Sequence, residues 1–277
     1  MPSRAISFYT SSFSLGTALS FLMAGETAGA FGWRTTFVLC GLAGLAAMSV
    51  PLMLRGKKPQ SAGTAHLLDF RPVFANRKAL AFILGYGVHC WELFAMRSWL
   101  VAFLAFCITI NGGNDYGLSP TTVATLGALV AMAASISGNE VCVRFGRVRV
   151  IVVIMFAAAA LAAVFGFSSV LPYPALVALS LLYAAVIQLD SAALTAGAIE
   201  AAAPGQSGAT LAVHAFVGFS AAGLGPLLLG FVLDTTGSGA TPLSWGLAFA
   251  SIGAVGLLGP LVVVLGSAQN RRKRRSM

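Results

Sequence analysis

Tyr86, His89, Glu92, Met96, Arg97 and Trp99 lie in one long apolar run of the chain. On a helix turning about 100° per residue they fall within an arc of about 160°, while Ala95 and Ala102 point elsewhere. Ionisable groups inside a membrane-spanning segment are costly, so a stripe of them is a functional candidate by default. Three uses fit these residue types. His89 or Glu92 can accept a proton, Arg97 can attract an anion, and Tyr86 or Trp99 can pack on a solute. His89 and Glu92 stand three residues apart, within hydrogen-bonding reach on one helical face, which would couple them. The competing reading is that Glu92 and Arg97 neutralise each other, or the dipoles of neighbouring helices, and bind nothing.

A second polar pair, Gln188 and Asp190, projects about 160° apart on a straight helix, so one cavity cannot receive both. Asp190 is the candidate for proton coupling, because Tyr183, Leu194 and Gly197 share its side; it serves equally well as counter-ion to Arg97. Gln188 is then a helix-packing hydrogen bond. His214 reads as packing or interhelical bonding, and Glu26 and Glu200, near the ends of apolar runs, need no function. Pro226, with Gly223 and Gly225, suggests a kink or close helix packing.

The elements that must position these residues are membrane helices. The chain of 277 residues is 58% hydrophobic and only 9% charged, with a mean hydropathy of +0.88, too little polar surface to coat a soluble globule. A helix needs about 20 apolar residues to cross the hydrocarbon. Eight such spans are expected at roughly 6 to 25, 35 to 54, 79 to 110, 120 to 143, 148 to 171, 174 to 199, 207 to 232 and 243 to 266. The fold class is therefore all-α, a polytopic membrane helix bundle with eight transmembrane helices.

Charge orients the bundle. Arg4, the stretch from Arg55 to Lys78, the stretch from Arg144 to Arg149 and the run Arg271 to Arg275 hold every lysine and arginine except Arg34 and Arg97. Loops rich in these residues stay cytoplasmic, so both termini are expected inside. The net charge of +9 does not point to nucleic acid, because the bases occupy loops and a tail with no aromatic residues interleaved for stacking. Anionic lipid headgroups are the expected partner of the basic tail. No cleavable signal peptide is recognisable. Cys40, Cys90, Cys107 and Cys142 show no paired short spacing, which argues against a disulfide framework and a zinc site. No metal or other cofactor is expected. An enzyme is not expected either: the chain lacks His-Glu-x-x-His, Gly-x-Ser-x-Gly and an ATP-binding P-loop.

The chain also repeats itself. Ser20 and Gly25, followed by Trp33 and Phe37, match Gly225 and Gly230, followed by Trp245 and Phe249. Small residues four apart, Gly16 with Ser20 and Ala221 with Gly225, let membrane helices approach closely.

These features resemble the major facilitator superfamily of transporters. Gly32, Trp33, Arg34, Thr35, Thr36 and Phe37 are similar to the family's approach to its sixth helix, and Gly230, Asp234, Gly237, Trp245 and Phe249 to the equivalent eleventh-to-twelfth segment. Gly138, Arg144, Phe145, Gly146, Arg147 and Arg149 resemble its basic cytoplasmic loop. Val143 stands where the family places an Asp before the first Arg, and Glu140, four residues before Arg144, is the expected substitute.

The resemblance implies a division of the chain. Residues 1-55 hold the last two helices of the first half, 56-78 the cytoplasmic linker between halves, 79-267 the complete six-helix second half and 268-277 a basic cytoplasmic tail. The family's first four helices then have no counterpart, which implies a longer reading frame or a truncated product. The expected function is secondary active transport of a small anionic or zwitterionic organic solute across a bacterial inner membrane, with the proton as the candidate coupling ion. The alternative is a non-transporting protein or a partial unit that needs a partner. Implied site residues are Tyr86, His89, Glu92, Arg97 and Trp99 for the solute, Glu92, His89 and Asp190 for the proton, and Glu140, Arg144, Gly146 and Arg147 for the conformational loop.

Overall fold

A computed structural model describes residues 2–53 and 69–275, with side chains over 4–50, 52, 53 and 69–266. Arg55, Lys57, Lys58 and most of the expected linker lie outside the described residues, as do the side chains of Arg271 to Arg275. Among the described residues no strand forms. The helices are α1 (Pro2–Met53), α2 (Arg71–Ala75), α3 (Arg77–Ile110), α4 (Pro120–Phe145), α5 (Arg147–Gly166), α6 (Tyr173–Gln188), α7 (Ser191–Ala201), α8 (Ser207–Thr235), α9 (Pro242–Gly256) and α10 (Leu258–Arg275). Seven helical stretches are long and apolar enough to cross a bilayer, counting α1 once, α6 with α7, and α9 with the start of α10. The protein is a multi-pass membrane protein with an all-α bundle fold.

Caps and prolines set the helix starts. Ser119 accepts a hydrogen bond from Thr122 N at 3.2 Å ahead of Pro120, and Thr241 accepts one from Ser244 N at 3.2 Å ahead of Pro242. Each satisfies a backbone donor that the first helical turn leaves free, while proline fills a position where no donor is needed. Asn76 caps α3 through Ala79 N at 3.1 Å, and its amide donates to Ala201 O at 2.6 Å, tying the start of α3 to the end of α7.

The two spans expected at 6 to 25 and 35 to 54 form one helical element, α1, interrupted at Gly32, whose φ of 79° and ψ of 162° are non-helical. Only glycine adopts that backbone without strain. The interruption is a sharp bend. In a straight helix Thr27 and Thr36 would lie about 13.5 Å apart along the axis on opposite faces, yet their hydroxyl oxygens are 2.8 Å apart. Before the bend α1 packs on α4 and α7. Beyond it, residues 33–50, 52 and 53 are exposed almost throughout, with Thr36 buried.

α3 runs through the centre of the bundle, against α7, α8, α9 and α10. One end of the core is aromatic: Phe103 meets Phe165 at 4.7 Å and Phe249 at 5.3 Å between ring centroids. The other is aliphatic, around Ile83, Ile151, Leu194 and Val263. The expected span at 174 to 199 is broken at Leu189 and Asp190, between α6 and α7. There α4 comes closest: a Cβ on Gly138 would overlap the Leu189 carbonyl oxygen and lie 2.6 Å from its carbonyl carbon.

The expected pairing of Glu140 with Arg144 is not what forms. Glu140 accepts both Nε and Nη2 of Arg4 at 2.8 Å, a bidentate pair joining the start of α1 to the end of α4. Arg144 instead stands 5.3 Å from the Phe145 ring centroid. Across Gly146, the non-helical residue between α4 and α5, Arg147 bonds Glu200 at 2.9 Å, giving Glu200 a partner that the sequence did not suggest. These are planar guanidinium–carboxylate contacts between distant segments, which a scan for pairs four residues apart on one helix does not find.

Candidate functional site

The α3 stripe divides among three neighbours. Tyr86 and His89 face α7 and α8 across a cavity of about 450 Å³, whose lining also includes Tyr9 and Phe13 of α1, Gln188, Thr195, His214 and Phe219. That volume lies within the range of small-molecule sites. Three of its lining rings are nearly parallel: Tyr86 stacks on His214 with centroids 3.9 Å apart and on His89 at 5.7 Å.

His89 Nδ1 lies 2.8 Å from Asp190 Oδ1, with both side chains at most 3% exposed. Asp190 Oδ1 has no hydrogen-bond partner, so this is a close polar contact rather than an aligned hydrogen bond. The break between α6 and α7 is where Asp190 meets α3. The hydrogen bond expected between His89 and Glu92 is absent, because Glu92 is taken by α6: Tyr183 donates its hydroxyl to Glu92 Oε1 at 2.9 Å, in full burial. His89, Glu92 and Asp190 nevertheless line one small cavity of about 10 Å³ with Met155 and Gly256, room for about one water. His89 thus lies on the wall of both cavities.

Arg97 is neither Asp190's counter-ion nor on the large cavity. Its Nη2 donates to Gln188 Oε1 at 3.3 Å, its Cζ is 5.8 Å from the Phe13 ring centroid, and its Nη1 is buried with no partner. Gln188, read from sequence as helix packing, therefore both bonds Arg97 and lines the cavity, while Asp190 lies behind it.

Trp99 is away from the large cavity. Its Nε1 donates to Pro226 O at 3.0 Å and its ring meets Trp245 edge-on at 6.1 Å, so it packs against the proline segment of α8. Trp99→Phe is expected to cost about 0.5–1.5 kcal/mol of stability, read as an earlier unfolding midpoint in detergent, with solute binding unchanged. Lost binding at unchanged stability would put Trp99 in the site.

Thr195 enters the site although sequence reading passed over it, and His214, read as packing or interhelical bonding, makes such a contact with Thr195 while also lining the cavity. Thr195 Oγ1 is 3.2 Å from both Ser191 O and His214 Nε2. Depth in an apolar run was their only sequence signal, and it does not distinguish a cavity wall from a packed helix face.

No protein-family model matches this chain, and neither does any curated protein.

Proposed function

We propose that this protein is a secondary active transporter of major facilitator type. It would move a small organic solute by alternating access and couple that movement to protons. The observation that carries the reading is the double position of His89. It lines the solute-sized cavity on one side and, on the other, shares a water-sized cavity with the buried carboxyl groups of Glu92 and Asp190. A proton on this cluster changes the charge at the cavity wall, which is the physical requirement for coupling.

Chain parity supports eight crossings with the bend at Gly32 lying between two of them. Arg4 and Glu140 are bonded, so they share one side of the membrane. Counting α1 once leaves three crossings between them, through α1, α3 and α4, and would put them on opposite faces. Counting α1 twice leaves four and returns Glu140 to the side of Arg4. The positive-inside bias makes that side cytoplasmic, and the bacterial inner membrane is the proposed location. The large cavity lies between the helix before the expected linker and helices after it, as a site between two rocking halves would.

The test is transport by purified protein in proteoliposomes, with counterflow of a solute panel followed by accumulation under an imposed proton gradient. Glu92→Gln is expected to retain counterflow and lose proton-driven accumulation, and Arg97→Ala to retain both if it folds, since Arg97 lies off the cavity. Undiminished accumulation in Glu92→Gln and His89→Gln would end the coupling assignment.

A further inference from the structure

The sign of the solute's charge follows from what the large cavity offers. Five of its lining residues are aromatic, Tyr9, Phe13, Tyr86, Phe94 and Phe219, and none is lysine, arginine, aspartate or glutamate. An anion entering it would meet ring faces, which carry negative quadrupole charge, and no cation to pair with. Arg97 is nearby, but it bonds Gln188 and does not line the space. Against that one guanidinium stand two carboxyl groups, Asp190 and Glu92, in the small cavity that shares His89.

The hydrogen-bonding groups lean the same way. A hydroxyl has one proton. Thr10 gives its proton to Ser7 O at 3.1 Å and Ser12 to Tyr9 O at 2.7 Å, so both can only accept from a ligand. Thr195 has two neighbours for one proton. Donating to Ser191 O and accepting from His214 Nε2–H makes two hydrogen bonds, whereas donating to His214 makes one. The first arrangement leaves His214 Nδ1 as a bare acceptor, and that atom is buried without a partner. His89 repeats the pattern, because its proton belongs on Nδ1 beside the Asp190 carboxylate; Nε2 is then the bare acceptor and also has no partner. Ser191, Gln188 and the tyrosine hydroxyls can still donate. The two histidines, each 4% exposed, are the unmatched groups, and both await a donor.

We infer that the cavity takes an organic cation, a protonated amine carried on an aromatic or apolar body. Its N–H groups meet the imidazole nitrogens and hydroxyl oxygens, and its charge lies against aromatic faces, which attract cations within about 6 Å of the ring centre. This inference rests on the proposed reading of the cavity as the solute site, and it replaces the anionic class that Arg97 suggested from sequence.

Three isosteric probes separate the two claims: tryptamine (cation), tryptophol (neutral) and indole-3-acetate (anion), titrated calorimetrically into the full chain in nanodiscs. Tryptamine is expected to bind at least about tenfold more tightly than either analogue, one charge-assisted hydrogen bond's worth. His214→Ala should remove about tenfold of its affinity. Phe219→Leu, at a largely exposed position that should not impair folding, should narrow the tryptamine-to-tryptophol ratio. Preference for tryptophol or indole-3-acetate, still weakened by His214→Ala, would overturn the cation assignment and leave the solute site standing. Binding of none of the three, or binding indifferent to both variants, would overturn the two together.

Discussion

His89→Ala is expected to lower stability by about 3–5 kcal/mol, the cost of leaving a buried charge without its partner. Asp190 is 2% exposed, and His89 is the basic group that the structure brings to it. Asp190→Asn should be milder, about 1–3 kcal/mol, because an amide needs hydrogen bonds but no counter-charge. Replacing both residues by leucine should recover much of the loss, since removing a buried charge together with its partner in favour of apolar residues is often neutral or better. Thermal unfolding in one detergent would rank the four proteins. If His89→Ala unfolds at the parental midpoint, His89 does not stabilise a buried charge on Asp190. The double leucine variant also separates roles: it should fold and fail to accumulate solute, whereas a merely structural pair would leave accumulation intact.

Gly138→Ala is expected to destabilise by about 1–3 kcal/mol, and Gly138→Val by more. The added methyl would overlap the Leu189 carbonyl oxygen and approach the Leu189 Cα to 2.7 Å. Those are backbone atoms, so no side-chain rotation relieves the contact; α4 must retreat from the break between α6 and α7. Gly44→Ala is the matched control. Nothing lies within 4 Å of a Cβ there, and the position is helical, so alanine should gain about 0.5–1 kcal/mol. Equal midpoints for the two alanine variants would contradict the close approach. Gly138→Ala should also disturb the His89–Asp190 contact, because Asp190 directly follows the residue that the methyl strikes.

Hydropathy made the bundle legible: apolar runs of sufficient length account for most helix positions. The bend at Gly32 was legible as the interval between the spans expected at 6 to 25 and 35 to 54 but not as a conformation, because its φ depends on how α1 folds back. Within the site, the residues of α3 were found and their partners were not. Helical periodicity places Glu92, His89 and Arg97 on one broad face; whether that face meets Tyr183, Asp190 or Gln188 is decided by how α6 and α7 cross it, and a single helix's pattern does not encode that crossing. Gln188 and Asp190 show this most directly. Their opposed projection was read correctly for a straight helix, but the wall of the large cavity turned out to belong to Gln188. Periodicity separates faces without saying what each face meets.

The bend in α1 also bears on biogenesis. On the proposed eight-crossing reading, residues 33–50 form a span that is exposed almost throughout, so its placement in lipid depends on its own hydropathy at the moment of insertion and hardly on later helix assembly. A charge introduced there would be judged by the insertion machinery, and the sorting of the chain during synthesis would register it before the folded bundle could.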